Sequence, residues 1–171
     1  MAIGQFGPAL EEALKRTGNT REQAGAVAHV DASLIGKIVK GSRNPSKELM
    51  AATADYYDDG ELFLGAAAEV TGGAFIPWLN AADLHTSTTT LKTLEEIEEA
   101  QLALHQAPIT KRRDQLSDKD RQKIEISIKE QIEAVTALLH NITMLCRSYD
   151  FSFAAMFRAH RAEMKSKNYM K

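Results

Sequence analysis

The sequence predicts an all-α protein in which a five-helix domain is followed by a C-terminal bundle of long helices. Apolar residues recur at intervals of three and four along most of the 171 residues, and no stretch alternates between apolar and polar residues as a strand does. Alanine, leucine, glutamate and lysine, which favour helices, are abundant, whereas prolines number only 4. A hydrophobic fraction of 44% and a charged fraction of 26% are typical of a folded globular chain.

Five short helices are predicted in the N-terminal part, because each run of apolar residues at helical spacing begins at or just after a residue that starts helices. The predicted starts are Pro8, Thr20, Asp31, Ser46 and Glu61, and the predicted ends are Gly18, the break at His29-Val30, Gly41, the turn at 58–60 and Gly72. The second start has the clearest signal, since Gln23 lies three residues after Thr20 and completes a capping-box pattern.

Longer helices are predicted in the second half of the chain. The first carries an apolar stripe from Leu91 to Leu104, the second starts at Ser117, and the last runs from Phe151 to about Lys165. The threonine-rich run Thr86–Thr90 is interpreted as a polar hinge. The predicted domains are therefore residues 1–80, a hinge at 81–90 and a helical oligomerisation or effector domain at 91–171.

The net charge of −2 conceals an uneven distribution along the chain. Residues 1–48 carry +2, residues 49–110 carry −9 and residues 111–171 carry +5. Such a division indicates that the segments have different tasks. The adjacent acidic pairs Asp58-Asp59 and Glu95-Glu96 are interpreted as solvated helix faces rather than as catalytic groups.

The sequence argues against an enzyme, a cofactor and a metal site. The five histidines share no metal-ligand spacing with one another or with Cys146, and no glycine-rich phosphate loop is present. Cys146 is expected to pack in a core. A single cysteine, the absence of a signal-peptide pattern and a longest apolar run of only residues 62–68 predict a soluble, cytoplasmic protein that does not enter a membrane.

The segment from Thr20 to Ser46 reads TREQAGAVAHVDASLIGKIVKGSRNPS and has the pattern of a helix-turn-helix. Two short helices are separated by a turn of three to four residues. Gly25 is small enough to let the helices cross closely, and Val30 and Ile35 fill the angle between them.

This segment resembles the phage-repressor/Cro type of helix-turn-helix, the XRE family. The matching stretches are Thr20–Gly25, Val30–Ile38 and Lys40–Ser46. The resemblance implies a five-helix domain over residues 7–70 in a double-stranded DNA-binding transcriptional regulator, in the first place a repressor. The chain departs from the family at Arg21, where glutamine is frequent, at Ala24, where leucine is common, and at His29, where glycine often supplies a positive φ.

The same resemblance assigns roles to individual residues. Ala32, Ser33 and Lys37 are implied to face the DNA groove and read bases, and Gly36 is implied to let the helix lie close to DNA. The residues implied to hold phosphates are Arg21, Lys40, Ser42, Arg43 and Asn44.

An apolar stripe on the long helix is the candidate surface for oligomerisation. It consists of Ile124, Ile128, Ile132, Val135, Leu139 and Ile142. Residues 1–48, with a net charge of only +2, are expected to bind DNA weakly as a monomer, so a homodimer is predicted. An intramolecular core is an equally open interpretation of the stripe. A further alternative is an antitoxin-like or regulatory protein whose C-terminal half binds a protein partner, with DNA binding as autoregulation.

Overall fold

The computed structural model describes residues 4–171, and over that range it confirms the all-α fold class, with eight α-helices and no strand. The helices are α1 (Phe6–Thr17), α2 (Arg21–Val27), α3 (Ala32–Val39), α4 (Lys47–Tyr57), α5 (Gly60–Thr71), α6 (Thr86–Gln106), α7 (Asp118–Tyr149) and α8 (Phe153–Ser166). A short 3-10 helix, Arg113–Gln115, precedes α7. None of the helices in residues 4–171 is long and apolar enough to span a membrane.

The chain forms two compact units that differ from the domains expected from the sequence. Unit 1 comprises the chain up to Asn80 together with residues 145–171, and unit 2 comprises residues 81–144. Helix α8 and the last turn of α7 therefore belong with the five N-terminal helices. The expected C-terminal domain 91–171 is therefore divided between the two units.

The expected hinge at 81–90 is wrong for its second half, because residues 86–90 form the first turns of α6. The side chain of His85 caps this helix by accepting a hydrogen bond from the backbone N–H of Ser87. The hydroxyl of Thr90 donates to the carbonyl of Thr86, so that this polar side chain is satisfied inside the helix.

Helices α1 to α5 share one buried core in unit 1. Phe6, Leu10, Ile35 and Leu62 are all completely buried in it. Helix α1 approaches α3 closely, since a Cβ on Gly7 would lie 2.5 Å from the carbonyl oxygen of Ile38. This contact fixes the position of α3 relative to α1.

Helix α8 packs on the turn between α4 and α5. The Phe153 ring stacks on Phe63 at a centroid distance of 5.5 Å. The carboxylate of Asp58 accepts the backbone N–H of Ala154 at 2.7 Å, at the positive end of the α8 dipole. Its neighbour Asp59 is only 4% exposed, so the interpretation of Asp58-Asp59 as a solvated pair is wrong.

Unit 2 contains α6 and α7, which pack as antiparallel helices through small and polar side chains. Thr89 donates to the side chain of Asn141 at 3.2 Å, and Thr93 donates to the carbonyl of Ala137 at 3.1 Å. The buried residues of this seam include Ala100 on α6, and Ser127 and Ala134 on α7. Such side chains allow two helices to approach closely, and the threonine hydroxyls find acceptors within the seam.

The apolar residues of these two helices mostly lie outside the seam. Leu91 and Leu94 are 63% and 60% exposed, so the stripe from Leu91 to Leu104 does not form the buried face of α6. The buried face carries Glu96 instead, and the interpretation of Glu95-Glu96 as solvated is therefore wrong for Glu96.

Candidate nucleic-acid interface

Local hydrogen bonds start helices α2 and α3 where the sequence predicts. The Thr20 hydroxyl accepts the N–H of Gln23 at 3.3 Å, and the Gln23 side chain accepts the N–H of Thr20 at 2.7 Å, which confirms the capping box. Asp31 caps α3 by accepting the N–H of Ser33 at 2.7 Å. Hydrogen bonds donated by Ser33 lower the pKa of the Asp31 carboxyl, which therefore stays ionised beside the N-terminus of α3.

Three residues shape the turn between α2 and α3. His29 adopts a left-handed conformation with φ 53°, at the position where the resembled family often has glycine. Val30 donates its N–H to the carbonyl of Gly25 at 2.8 Å. A Cβ on Gly25 would lie 2.6 Å from the Val30 carbonyl oxygen, so the small residue is what lets the turn close against α2.

Helix α3 has one buried side and one exposed side. Ile35 and Ile38 are in the core, whereas Ser33 and Lys37 are exposed and Ala32 is half-buried. Ser33 and Lys37 are four residues apart and share the side that points away from the core, whereas Ala32, three residues before Ile35, lies at the edge of that side.

The backbone of Gly36 on the same helix is open on its outer surface. The nearest atom to a Cβ at Gly36 would be Nη1 of Arg21, at 3.5 Å. The Arg21 guanidinium therefore lies over the outer surface of α3, although the residue itself starts α2. This proximity brings one phosphate candidate next to the base-reading candidates.

The other phosphate candidates lie on the loop that follows α3. Lys40, Ser42, Arg43 and Asn44 are all exposed. The loop is held against the end of α3, because the backbone N–H groups of Ser42 and Arg43 both donate to the Lys37 carbonyl, at 2.9 and 3.3 Å.

One phosphate candidate is already engaged within the chain. The Ser42 hydroxyl donates to the Lys37 carbonyl at 3.1 Å, so its hydrogen is used and only its oxygen lone pairs are free. By contrast, the cationic candidates Arg21, Lys37, Lys40 and Arg43 form no ion pair with any carboxylate of residues 4–171. Their charges remain available to an external anion.

The six residues of the candidate oligomerisation stripe lie on one helix of unit 2. Ile128, Ile132 and Val135 are 52%, 53% and 44% exposed, whereas Ile124, Leu139 and Ile142 are half-buried. Half of the stripe is thus uncovered within one chain.

Cys146 is buried, as expected for a packing residue, and burial raises the pKa of its thiol. Sequence reasoning did not find two groups of buried charges, one around Asp59 and Arg147 in unit 1 and one around Glu96 in unit 2. Their members come from distant parts of the chain, and the only sequence signals are ordinary acidic residues on amphipathic helices.

Comparisons of the chain with protein-family models, with curated proteins and with solved structures found no match.

Proposed function

We propose that this chain is a sequence-specific, double-stranded DNA-binding transcriptional regulator of the repressor type that acts as a homodimer. The observation that carries the proposal is the exposed side of α3, where Ser33 and Lys37 lie beside cations that have no carboxylate partner among residues 4–171. An α-helix of this kind fits the major groove of B-DNA, where each base pair presents a distinct pattern of donors and acceptors.

Within this proposal the side chains divide into two groups. Lys37 donates to the O6 and N7 acceptors of guanine, Ser33 bonds to a base edge, and the methyl of Ala32 contacts the methyl of thymine. Arg21, together with the exposed residues of the loop after α3, neutralises phosphates and sets the register without reading sequence. Ser42 holds the loop in place instead, because its hydroxyl and its backbone N–H both donate to the Lys37 carbonyl and neither is free to donate to a phosphate.

Dimerisation is proposed through one side of the α6–α7 hairpin. On α6 and on α7, the exposed apolar stripe is offset from the seam in the same direction of rotation around the helix axis. Because the two helices are antiparallel, this offset places both stripes on the same side of the hairpin. We call this side the apolar face; its exposed members are Leu94, Ile97, Leu104, Ile128, Ile132 and Val135.

The size of the apolar face suits a dimer. Helix α6 has 21 residues and is therefore about 31 Å long, and two packed helices are about 20 Å wide. Pairing two such faces would remove roughly 1,200 Å² from water in total, which is within the range of stable interfaces. A monomer that exposes six large apolar side chains on one face is unusual.

Selection of bound duplexes from random DNA with the full-length protein, followed by sizing of the complex, tests the proposal. Lys37→Ala should lose about 1–3 kcal/mol at one base pair of each half-site and relax the preference there. Arg43→Ala should weaken binding to all sequences alike and make the salt dependence shallower. The control is Lys15→Ala, which removes the same charge from the exposed surface of α1. If Lys37→Ala kept both affinity and preference, α3 would not be the recognition helix.

The apolar face also favours a second candidate function, in which it binds a different protein and DNA binding serves autoregulation. A wild-type protein that is monomeric alone but forms a stable complex with one partner would support this antitoxin-like function. In either case a DNA-binding regulator with a free thiol at Cys146 is expected to act in the reducing cytoplasm.

A further inference from the structure

A glutamate is buried in the hairpin of unit 2 without full compensation. Glu96 is only 6% exposed. Its Oε1 accepts from the ammonium of Lys92 at 2.8 Å, one turn earlier on α6. Its Oε2 is buried and receives no hydrogen bond from any of residues 4–171. A buried carboxylate oxygen without a partner is unfavourable, so a group outside the chain is needed to compensate it.

Two further carboxylates lie next to Glu96. Glu130 and Glu133 come from α7 on the other side of the seam, and one oxygen from each of the three glutamates lies within 4.8 Å of the others. Partial desolvation and the neighbouring carboxylates raise the pKa of Glu130. Lys92 offsets one of the three carboxylate charges, so the cluster keeps an excess of negative charge.

We propose that Glu96, Glu130 and Glu133 form a binding site for a divalent cation of the class that prefers oxygen ligands. Three carboxylates from two helices supply hard anionic donors and no nitrogen or sulfur, which suits Ca²⁺, Mn²⁺ or Mg²⁺ rather than a softer metal. The cation compensates the buried oxygen of Glu96 and joins α6 to α7.

Three carboxylate oxygens within 4.8 Å of one another are close enough to share one ion. Ca²⁺ accepts a set of carboxylates in flexible geometry, whereas Mg²⁺ demands near-ideal octahedral geometry and usually keeps several waters. We therefore expect the site to prefer Ca²⁺. Glu130 also lines an open surface groove together with Glu99, Gln106 and Lys123, so its carboxylate is accessible from solvent.

This inference departs from the expectation of no metal site, which rested on the spacing of histidines and cysteine. Glutamates are frequent on exposed helix faces, so their spacing alone does not distinguish ligands from solvated residues. The distinguishing feature is the burial of Glu96, which depends on the packing of α6 against α7.

The test uses full-length protein freed of metal with a chelator and titrated calorimetrically with CaCl₂, MnCl₂ or MgCl₂. We expect one ion per chain, tighter binding of Ca²⁺ than of Mg²⁺, and a higher melting temperature with Ca²⁺ than with EDTA. Glu96→Gln and the exposed-site variant Glu133→Gln should each weaken the affinity at least tenfold. The matched control Glu98→Gln, on the side of α6 away from the seam, should bind as the wild type does.

Two results would overturn the proposal. One is the absence of both binding heat and thermal stabilisation at millimolar concentrations of all three ions. The other is an equal loss of binding in Glu98→Gln, which would mean that the ions associate with general acidic surface. If Glu96→Gln raised the melting temperature in EDTA while metal ions left the melting temperature of the wild type unchanged, a shared proton rather than a cation would stabilise the cluster. Circular dichroism of each variant checks that the helices still form, and none of these outcomes depends on DNA binding.

Discussion

The guanidinium of Arg147 forms a two-point ion pair with the buried carboxylate of Asp59, 88 residues earlier in the chain. Nε donates to Oδ2 at 2.9 Å and Nη2 donates to Oδ1 at 2.7 Å. The same guanidinium donates to Glu61 at 2.8 Å and lies over the ring of Trp78 at 5.2 Å. Arg16 of α1 also pairs with Asp59. This cluster attaches the end of α7 to the start of α5 within unit 1.

Breaking the pair should destabilise unit 1 far more than breaking an exposed pair nearby. Asp59→Asn removes the charge that two guanidinium groups share in a buried site, and we expect it to lower the free energy of unfolding by about 3 kcal/mol. Asp55→Asn removes the exposed pair with Arg158 and should cost at most about 1 kcal/mol. Urea unfolding followed by the fluorescence of Trp78 measures both values. Equal losses of unfolding free energy in the two variants would mean that the buried pair stabilises unit 1 no more than the exposed pair does.

Glu61 should make the stability depend on pH. Burial raises the pKa of its carboxyl, and the pairing with Arg147 offsets this only in part. Because the folded-state pKa lies above the unfolded value, the stability that Glu61 contributes is complete below about pH 4.5 and is lost as the pH rises through the folded-state pKa. The free energy of unfolding of Glu61→Gln, relative to that of the wild type, should therefore increase from pH 4 to pH 7. Thermal melts at both pH values test this, and a difference that does not change with pH would contradict it.

Two glycines should respond in opposite ways to alanine. Gly7→Ala places a methyl 2.5 Å from the Ile38 carbonyl, so α1 must move away from α3, and we expect a loss of about 1–3 kcal/mol in the free energy of unfolding. Gly36→Ala meets no atom closer than 3.5 Å and should keep or gain stability, by up to about 1 kcal/mol through helix propensity. It should nevertheless weaken DNA binding, since the added methyl lies on the outer surface of α3. Thermal melts and duplex titrations of both variants separate folding from recognition.

The apolar face can be tested with two isoleucines of similar exposure on α7. Ile132 is 53% exposed and belongs to the face, whereas Ile126 is 43% exposed and points about 120° away around the helix. Because Ile132 is not buried within one chain, Ile132→Asp should leave the helix content intact but yield a monomer with strongly reduced operator affinity. Ile126→Asp should remain a dimer.

Light scattering and circular dichroism distinguish the outcomes. A wild-type protein that is monomeric at micromolar concentration would contradict the proposed dimer directly. Unfolding of unit 2 in Ile132→Asp would mean instead that the stripe belongs to an intramolecular core.

Much of unit 1 follows from local signals in the sequence. The capping interactions at Thr20 and Asp31 join residues two or three positions apart, so the sequence contains both partners and predicts where α2 and α3 begin. The exposed positions of Ser33 and Lys37 follow in the same way, because Ile35 and Ile38 set the buried side of a short amphipathic helix.

What the sequence by itself determined, then, is the all-α fold class, the starts of α2 and α3 and the exposed side of α3. Only the tertiary structure decided which face of α6 is buried. The periodicity of apolar residues predicts burial of the face with Leu91 and Leu94, yet the face with Thr93 packs against α7. Small side chains on that face allow the two helices to approach closely, and the Thr93 hydroxyl finds an acceptor on α7. The tertiary structure also decided that Asp59 is buried. An acidic residue can leave water only where a cation meets it, and the two cations that meet Asp59 are 43 and 88 residues away.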